Sequence, residues 1–402
     1  MSESIEVLLL ENIAPNAIKI LKDSNFKITS LPTSLDKEEL KKRISTVNII
    51  GIRSRTIIDE DILACAPNLL CIGCYCIGTN QVDLEACKNA GVPVFNSPFQ
   101  NSRSVAELII AMVINLARRI GDTNSNMHNN IWNKTAESCY EIRGKTLGIV
   151  GFGHVGGQLG VLAEPMGMKV IYYDIINKMP LGNCLQARSL DEVLRKADFL
   201  TLHVPETEKT INLITSREIG LMKQGSYLLN ASRGTVVVID DLVQALKSNH
   251  LGGVYLDVYP EEPMKNSNCF NNYLELKSCH NVILTPHIGG STQEAQDRIG
   301  LEVSEKLYNY IRCGNTLDSV NLPNVYIQME RPYHRILNIH KNIPGVLKTI
   351  NGILSIYNIE GQILKTDSEI GYLLVDVNQG VVNEIVEKIN KISSTIKTRI
   401  LY

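Results

Sequence analysis

Gly151, Gly153 and Gly156 follow the apolar run Thr146-Leu-Gly-Ile-Val150 almost without a break, and a helical pattern opens behind them. In that setting each glycine has a distinct role. The first permits a tight turn, the second lets backbone approach a pyrophosphate, and the third lets the helix pack against the strand. The N-terminus of that helix offers free N–H groups and the positive end of its dipole to phosphate. Asp174 ends the next apolar run, at the spacing where a carboxylate accepts from a ribose 2′-hydroxyl and repels a 2′-phosphate. The pattern reads as a dinucleotide site that favours NAD, with Lys178 nearby leaving NADP open. A ligand-free glycine turn beside a solvated acid would not require strand, glycines, helix and acid to coincide.

Three further segments place polar residues at the ends of apolar runs, where open α/β sheets bind ligands. They are Asn230-Ala231-Ser232-Arg233-Gly234, Asp257-Val-Tyr-Pro-Glu261-Glu262-Pro263 and Thr285-Pro-His287-Ile288-Gly289-Gly290. Moving a hydride from a secondary alcohol to a nicotinamide needs a base for the hydroxyl proton and a cation to hold the substrate. His287 suits the first role and Arg233 the second. A carboxylate against the imidazole would orient it and stabilise its protonated form; Glu261 and Glu262 both qualify. Alone, such an arginine or histidine is more often a solvated or structural residue; together, after a nucleotide pattern, they read as a site. Arg53-Ser54-Arg55-Thr56 closes another apolar run and places two guanidiniums around a hydroxyl, which suits a phosphate as well as it suits solvent. Cys71, Cys74 and Cys76 have the look of metal ligands, but no second C-x-x-C follows, so they read as ordinary thiols and no metal is expected.

The elements that must position these residues alternate. Glu6–Leu10, Val47–Ile52, Leu69–Gly73 and Val92–Phe95 read as strands among the helices 15–22, 37–44, 59–64 and 83–90. Thr146–Val150, Met168–Tyr173, Phe199–His203, Tyr227–Asn230, Gly253–Asp257 and Val282–Thr285 repeat the pattern with six strands. Two doubly wound, Rossmann-like α/β modules are therefore expected. The helix Ser291–Arg312 would pack back on the first, and Val105–Leu116 is a buried core helix too short to span a membrane. The tail reads strand 335–339, helix 344–354, strands 358–365 and 371–377, helix 381–392 and strand 398–401, the ferredoxin-like β-α-β-β-α-β order. Boundaries follow at 1–100 with 291–318, 101–290, a connecting stretch 319–333, and 334–402. The 402 residues hold 44% hydrophobic and 20% charged side chains and a net charge of −2, which speaks against nucleic acid or a membrane as partner. The N-terminal run Val7–Leu10 is acidic-flanked and too short for a leader, so a cytoplasmic protein is expected.

Along the whole chain these segments resemble the D-isomer-specific 2-hydroxyacid dehydrogenases, and within them the short bacterial type that acts on 3-phosphoglycerate and ends in an ACT domain. The resemblance implies NAD-dependent oxidation of 3-phospho-D-glycerate to 3-phosphooxypyruvate, the first step of L-serine biosynthesis, with feedback by L-serine and a side reaction on 2-oxoglutarate. It implies that Arg233 binds substrate carboxylate and carbonyl, that Glu262, placed directly before Pro263, pairs with the base, and that His287 is the acid/base. Cofactor contacts are implied at Gly151, Gly153, His154, Val155, Gly156, Asp174, Ala231, Ser232, Arg233, Asp257, His287, Ile288, Gly289 and Gly290. Arg53, Ser54 and Arg55 are implied as phosphate ligands, Ile77 and Gly78 as backbone donors to the carboxylate, and Asn101 as a further polar contact. Trp132 and Lys134 resemble a segment that crosses to a neighbouring subunit, Lys134 reaching substrate. His340, Asn342 and Asn358 match serine ligands shared across paired ACT domains of a homotetramer. A dehydrogenase of another 2-hydroxy acid, such as a glyoxylate or hydroxypyruvate reductase, and a non-enzymatic NAD-sensing regulator are the competing readings.

Overall fold

The computed structural model describes residues 4–24, 26–263, 267–328 and 334–401, so part of the expected connecting stretch, 329–333, lies outside the described residues. The chain divides into two compact units, 1–98 with 296–402, and 99–295.

In the first unit, β1 (Glu6–Leu9), β2 (Lys27–Ser30), β3 (Ile49–Ile52), β4 (Cys71–Cys74) and β5 (Val94–Phe95) form a parallel sheet in the order β2-β1-β3-β4-β5. β3 and β4 read Ile-Ile-Gly-Ile and Cys-Ile-Gly-Cys, buried throughout, because helices cover both faces of a parallel sheet. The strand period of two separates the faces. Leu8, Ile50 and Ile72 meet Leu40, Ile44 and Ile62 on one side. Val7, Leu9 and Ile49 meet Ala17 and Leu21 on the other, together with Ile299, Val303, Leu307 and Tyr310 from the helix Gln293–Cys313.

The second unit carries β6 (Thr146–Val150), β7 (Lys169–Tyr173), β8 (Leu185–Gln186), β9 (Phe199–Leu202), β10 (Ser226–Asn230), β11 (Leu251–Leu256) and β12 (Val282–Leu284) in the order β12-β11-β10-β9-β6-β7-β8. The order reverses beside β6, the switch point at which such sheets bind ligands past their strand C-termini. The helix Ser102–Ala117 buries Val105, Ile109, Val113 and Leu116 against Leu147, Ile149 and Tyr172. No helix among the described residues is long and apolar enough to cross a membrane.

The tail holds β13 (His334–Lys341), β14 (Ile359–Thr366), β15 (Ile370–Val377) and β16 (Thr395–Leu401), antiparallel in the order β14-β15-β13-β16, with helices Val346–Leu354 and Val382–Asn390. Those helices cover Ile336, Leu373 and Val375.

Four features depart from expectation. β2 and β8 are additional strands; both are largely exposed edge strands, so neither shows an apolar period. The helix Ile120–His128 buries none of its residues and so has no core-facing stripe to read. The tail helix begins at Val346 and not at Pro344, because Gly345, at φ 95, caps it. Finally, the tail shares a buried core with the first module. Leu337, Ile339, Tyr372, Leu374 and Leu401, on the sheet face opposite its own helices, are apolar and share a core with Val7, Leu9 and Tyr310 of the first module. The segment before residue 329 is fastened as well: Asn321 accepts from the Val94 N–H at 2.9 Å and donates to the Val92 carbonyl at 2.9 Å.

Candidate active site

The nucleotide frame comes first. Gly151 has φ 92, and a Cβ there would lie 2.3 Å from the His203 carbonyl oxygen; a Cβ at Gly156 would lie 2.2 Å from the Gly151 oxygen. The fold itself requires glycine at both places. Gly153 is different, since a Cβ there would meet nothing of the protein within 4 Å. Packing does not demand glycine at 153; the space over its backbone is open, and the helix His154–Ala163 begins there with its free N–H groups. Asp174 accepts from the Phe152 N–H and the Ile176 N–H, both at 2.9 Å, and thereby ties the end of β7 to the glycine turn. Each of its oxygens keeps a lone pair for a ribose hydroxyl. His154 stacks on Phe99 at 3.6 Å, and Val155 sits half-buried beside it. The cradle, the helix end and the acid together fit a dinucleotide.

The chemistry-bearing side chains sit at the ends of β10, β11 and β12. Asn230, 1% exposed, wraps the turn that follows it: Oδ1 accepts from the Ser232 N–H and hydroxyl at 3.0 and 2.8 Å, and Nδ2 donates to the Arg233 carbonyl at 2.9 Å. The Arg233 guanidinium donates to the Ser232 carbonyl at 2.7 Å. A Cβ on Gly234 would lie 1.9 Å from the Tyr259 carbonyl carbon, so only glycine allows this turn to press against the loop behind β11. In that loop Glu262 Oε1 accepts from the Tyr259 N–H at 3.1 Å, and Oε2 meets His287 Nδ1 at 2.7 Å. The carboxylate on the imidazole is therefore that of Glu262, while the Glu261 N–H donates to the Tyr273 hydroxyl.

His287 itself has φ 54, a left-handed backbone that costs a histidine on the order of 1–3 kcal/mol and persists only where neighbours enforce it. They do. Its N–H donates to the Asp257 carbonyl at 2.7 Å. The Asp257 carboxylate, 1% exposed, accepts from the Thr285 hydroxyl at 2.5 Å, the Ile288 N–H at 2.8 Å and the Gly289 N–H at 2.7 Å. Gly290 packs on the Asn101 amide. The hydrogen bond that His287 Nδ1 donates to Glu262, and the charge of that carboxylate, hold His287 above the ordinary histidine range despite burial and the nearby Arg233. Burial alone would push Glu262 up; the His287 bond and charge, the Tyr259 N–H and Arg233 outweigh it and hold Glu262 low. The result is an imidazole oriented through Nδ1, stabilised when charged, with Nε2 left for a substrate.

In the other unit, Arg53 is half-buried and Ser54 and Arg55 are exposed at the C-terminal end of β3. The Ile77 carbonyl accepts from Asn96 Nδ2 at 2.5 Å, and Ile77 and Gly78 stand half-buried after β4. Cys71 and Cys74 lie buried in β4, where burial pushes the Cys71 thiol up to about 12. Cys76, pushed up to about 11 by burial, donates to the Gly78 carbonyl. Trp132 is 81% exposed and Lys134 is exposed near it.

The tail residues do not converge within one chain. His340 pairs with Gly371 at one end of β15, and the Asn342 N–H donates to the Glu369 carbonyl at that same end. Asn358 precedes Ile359, which pairs with Val377 at the other end. Six residues of strand, about 20 Å, separate the two ends. Asn342 and Asn358 are exposed. His340 is only 1% exposed, held at 2.8 Å by Asn338 and kept low by burial.

Three residues that support the site carry no motif of their own. Asn230 shows one sign, a polar residue closing an apolar strand. Glu11 and Gln81, which hold the Arg53–Thr56 turn, show none.

Comparisons with known proteins identify the family of the chain. Residues 110–289 match the profile of the D-isomer specific 2-hydroxyacid dehydrogenase NAD-binding domain, and 336–397 that of the AHAS small subunit-like ACT domain. The chain is 52% identical to a Dictyostelium discoideum D-3-phosphoglycerate dehydrogenase over 100% of its own length and 98% of that protein. It is 46% identical to the Escherichia coli D-3-phosphoglycerate dehydrogenase over 100% and 98% of the two chains. The crystal structure of an Aquifex aeolicus D-lactate dehydrogenase complexed with NAD and lactic acid covers 79% of the chain, and all of that structure is matched, at 28% identity and a TM-score of 0.68.

Proposed function

The chain belongs to the D-3-phosphoglycerate dehydrogenases, and we propose that it oxidises 3-phospho-D-glycerate at C2 to 3-phosphooxypyruvate with NAD. The 2.7 Å pairing of His287 with Glu262, on a frame that fits a dinucleotide, carries the reading. NAD would be held at Gly151–Gly156 and Asp174 and by the Ala231–Arg233, Asp257 and His287–Gly290 segments, where it would supply the acceptor for the C2 hydride. His287 Nε2 takes the C2 hydroxyl proton, Glu262 stabilises the imidazolium that forms, and the Arg233 guanidinium holds the carboxylate and the oxygen on which charge develops. Running in reverse, the protonated imidazole returns that proton to a carbonyl.

Arg53, Ser54 and Arg55 take the substrate phosphate in this reading, with Ile77, Gly78 and Asn101 at its carboxylate. Lys134 comes from a second copy, whose surface would cover the exposed Trp132 and its neighbours Met127 and Ile131. Paired ACT sheets would bring His340 and Asn342 of one subunit to Asn358 of another, the arrangement that opposite ends of β15 call for. L-Serine bridging that pair would act as feedback inhibitor of a cytoplasmic homotetramer of the short bacterial type. Initial rates of NADH formation with 3-phosphoglycerate, glycerate and 2-hydroxyglutarate, each with and without serine, test the reading. It requires 3-phosphoglycerate to have the highest kcat/KM and serine to lower that rate. Equal rates on glycerate would overturn the substrate; a rate indifferent to serine, with no serine bound, would reduce the tail to an assembly module.

A further inference from the structure

The turn that carries Arg53, Ser54 and Arg55 is gripped from beneath by a single carboxylate. Glu11, just past the end of β1, is 8% exposed. Its Oε1 accepts from the Arg53 N–H at 3.3 Å and the Thr56 N–H at 2.8 Å, and its Oε2 accepts from the Arg55 N–H at 3.0 Å. The backbone of Glu11 is left-handed, φ 68, as is that of Asn12, φ 56. Two consecutive non-glycine residues hold that conformation only where surrounding bonds impose it, and such strain gathers at ligand-binding loops. On the other side stands Gln81, 7% exposed, whose Nε2 donates to the Arg53 carbonyl at 2.6 Å and to the Gly78 carbonyl at 3.3 Å. One amide therefore ties the arginine turn to the Ile77–Gly78 turn.

This wiring has a chemical consequence. Phosphate-binding loops often present successive backbone N–H groups to the anion. At this turn the N–H groups of residues 53, 55 and 56 are spent on Glu11, so anion recognition falls mainly to the guanidiniums and the Ser54 hydroxyl, with the Ser54 N–H the one backbone donor that Glu11 does not take. A guanidinium recognises phosphate through a rigid planar fork, and that geometry is met only if the Cα atoms from which the side chains spring are fixed. Glu11 fixes them. A hydrophobic side chain could fill its volume but could accept none of the three N–H groups, of which that of Thr56 would be left buried and unpaired.

We propose that Glu11 and Gln81 are positioning residues for substrate recognition: Glu11 aims the arginine turn, and Gln81 sets its distance from the turn that reads the carboxylate. This rests on the reading that Arg53 and Arg55 take the substrate phosphate.

Steady-state kinetics of the full-length enzyme decide it, with 3-phosphoglycerate and unphosphorylated glycerate as alternative donors. Glu11→Gln replaces one accepting oxygen with a donor facing an N–H. It should raise the KM for 3-phosphoglycerate about tenfold, the scale of one charge-assisted bond, while kcat and the KM values for glycerate and NAD stay within about twofold. Glu11→Asp, which keeps the charge but withdraws it, should shift the same constant in the same direction by less, and it decides the matter where the Gln variant does not fold. Gln81→Met should raise the KM for 3-phosphoglycerate and lower its kcat/KM advantage over a phosphorylated 2-hydroxy acid one carbon longer, because the two turns are no longer held at one spacing. An equal rise in KM for both donors, a fall in kcat at constant KM, or a lowered Tm with unchanged kinetics would each make these residues mere supports of the fold and overturn the proposal. Arg55→Ala separates the layers of the argument. If it weakens both donors alike, the phosphate reading itself has failed; if it discriminates and Glu11→Gln does not, only the positioning role has.

Discussion

Replacing Glu262 with Gln keeps the side-chain volume and removes the charge that faces His287. The two groups are 2.7 Å apart, with side chains 33% and 52% exposed. Unit charges about 4 Å apart attract by about 1 kcal/mol in water and about 4 kcal/mol at an effective dielectric near 20. A pair this open to solvent belongs in the lower part of that range, about 1–2 kcal/mol after screening. The imidazole gains its positive charge in the transition state for oxidation, so losing that much stabilisation slows turnover about 5- to 30-fold. The pH dependence gives the sharper test. Oxidation needs neutral His287, and Glu262 holds its pKa above the ordinary value. The wild-type rate is therefore lost on the acid side at a higher pH than an isolated histidine would dictate. In Glu262→Gln the raising partner is gone, the folded pKa drops, and the acid limb of kcat/KM for oxidation must move to lower pH. In the reductive direction, which needs the protonated imidazole, the alkaline limb must move to lower pH as well. Profiles of both directions on wild type and variant, followed by NADH absorbance, measure this. An acid limb that stays in place while kcat falls would refute the account of Glu262 as the group that charges and orients His287.

Asp174→Ala removes both a ribose acceptor and the acceptor of the Phe152 N–H. NAD affinity, read by fluorescence titration, should fall about 10- to 100-fold while NADP loses less, and an unchanged NAD/NADP ratio would assign the ribose to another residue. Gly234→Ala would drive a Cβ into the Tyr259 carbonyl carbon, 1.9 Å away. The overpacking should cost about 1–3 kcal/mol of stability and lower kcat/KM by separating the Arg233 and Glu262 loops, so a variant of wild-type Tm and activity would contradict the close approach. Asp376→Asn leaves Arg335, which is 0% exposed and bonds both carboxylate oxygens, as an uncompensated buried charge. Denaturant unfolding should show a loss of about 3–5 kcal/mol, and a loss under about 1 kcal/mol would mean that the bonds from Arg335 to the Cys313, Ile327 and Gln328 carbonyls suffice without the ion pair.

Secondary structure was legible wherever burial imposes a period. β3 and β4 are apolar through their length, β1 and β6 are so after their first residues Glu6 and Thr146, and the helix Ser102–Ala117 is apolar enough to be read as core. β2 and β8 escaped because an edge strand with exposed side chains answers to backbone pairing alone, which leaves no trace in residue type. The attachment of the tail escaped for a related reason. In β13 both faces are buried, Ile336 turned toward the tail helices and Leu337 and Ile339 toward the first module. Such a strand reads only as buried, and nothing in it says whether the second covering layer comes from its own domain or another.

The site divides along the same line. Arg233 and His287 stand out because their chemistry is rare at strand ends that follow a nucleotide pattern. Glu261 and Glu262 are the same residue type one position apart, and composition cannot choose between them. The choice is made by the Tyr259 N–H, which turns Glu262 toward the imidazole, and by the Tyr273 hydroxyl, which occupies the Glu261 N–H. Glu11 is harder still. Its partners lie 42 to 45 residues away, and an acid past the end of a strand ordinarily faces water. What makes it a positioning group is the burial of its carboxylate under another loop, a fact of tertiary structure. Residues that touch a ligand must have the chemistry of the reaction and so advertise it; residues that hold them need only a complementary shape and one acceptor in the right place. Many side chains satisfy that second requirement, so it is met through long-range contacts that residue identity does not reveal.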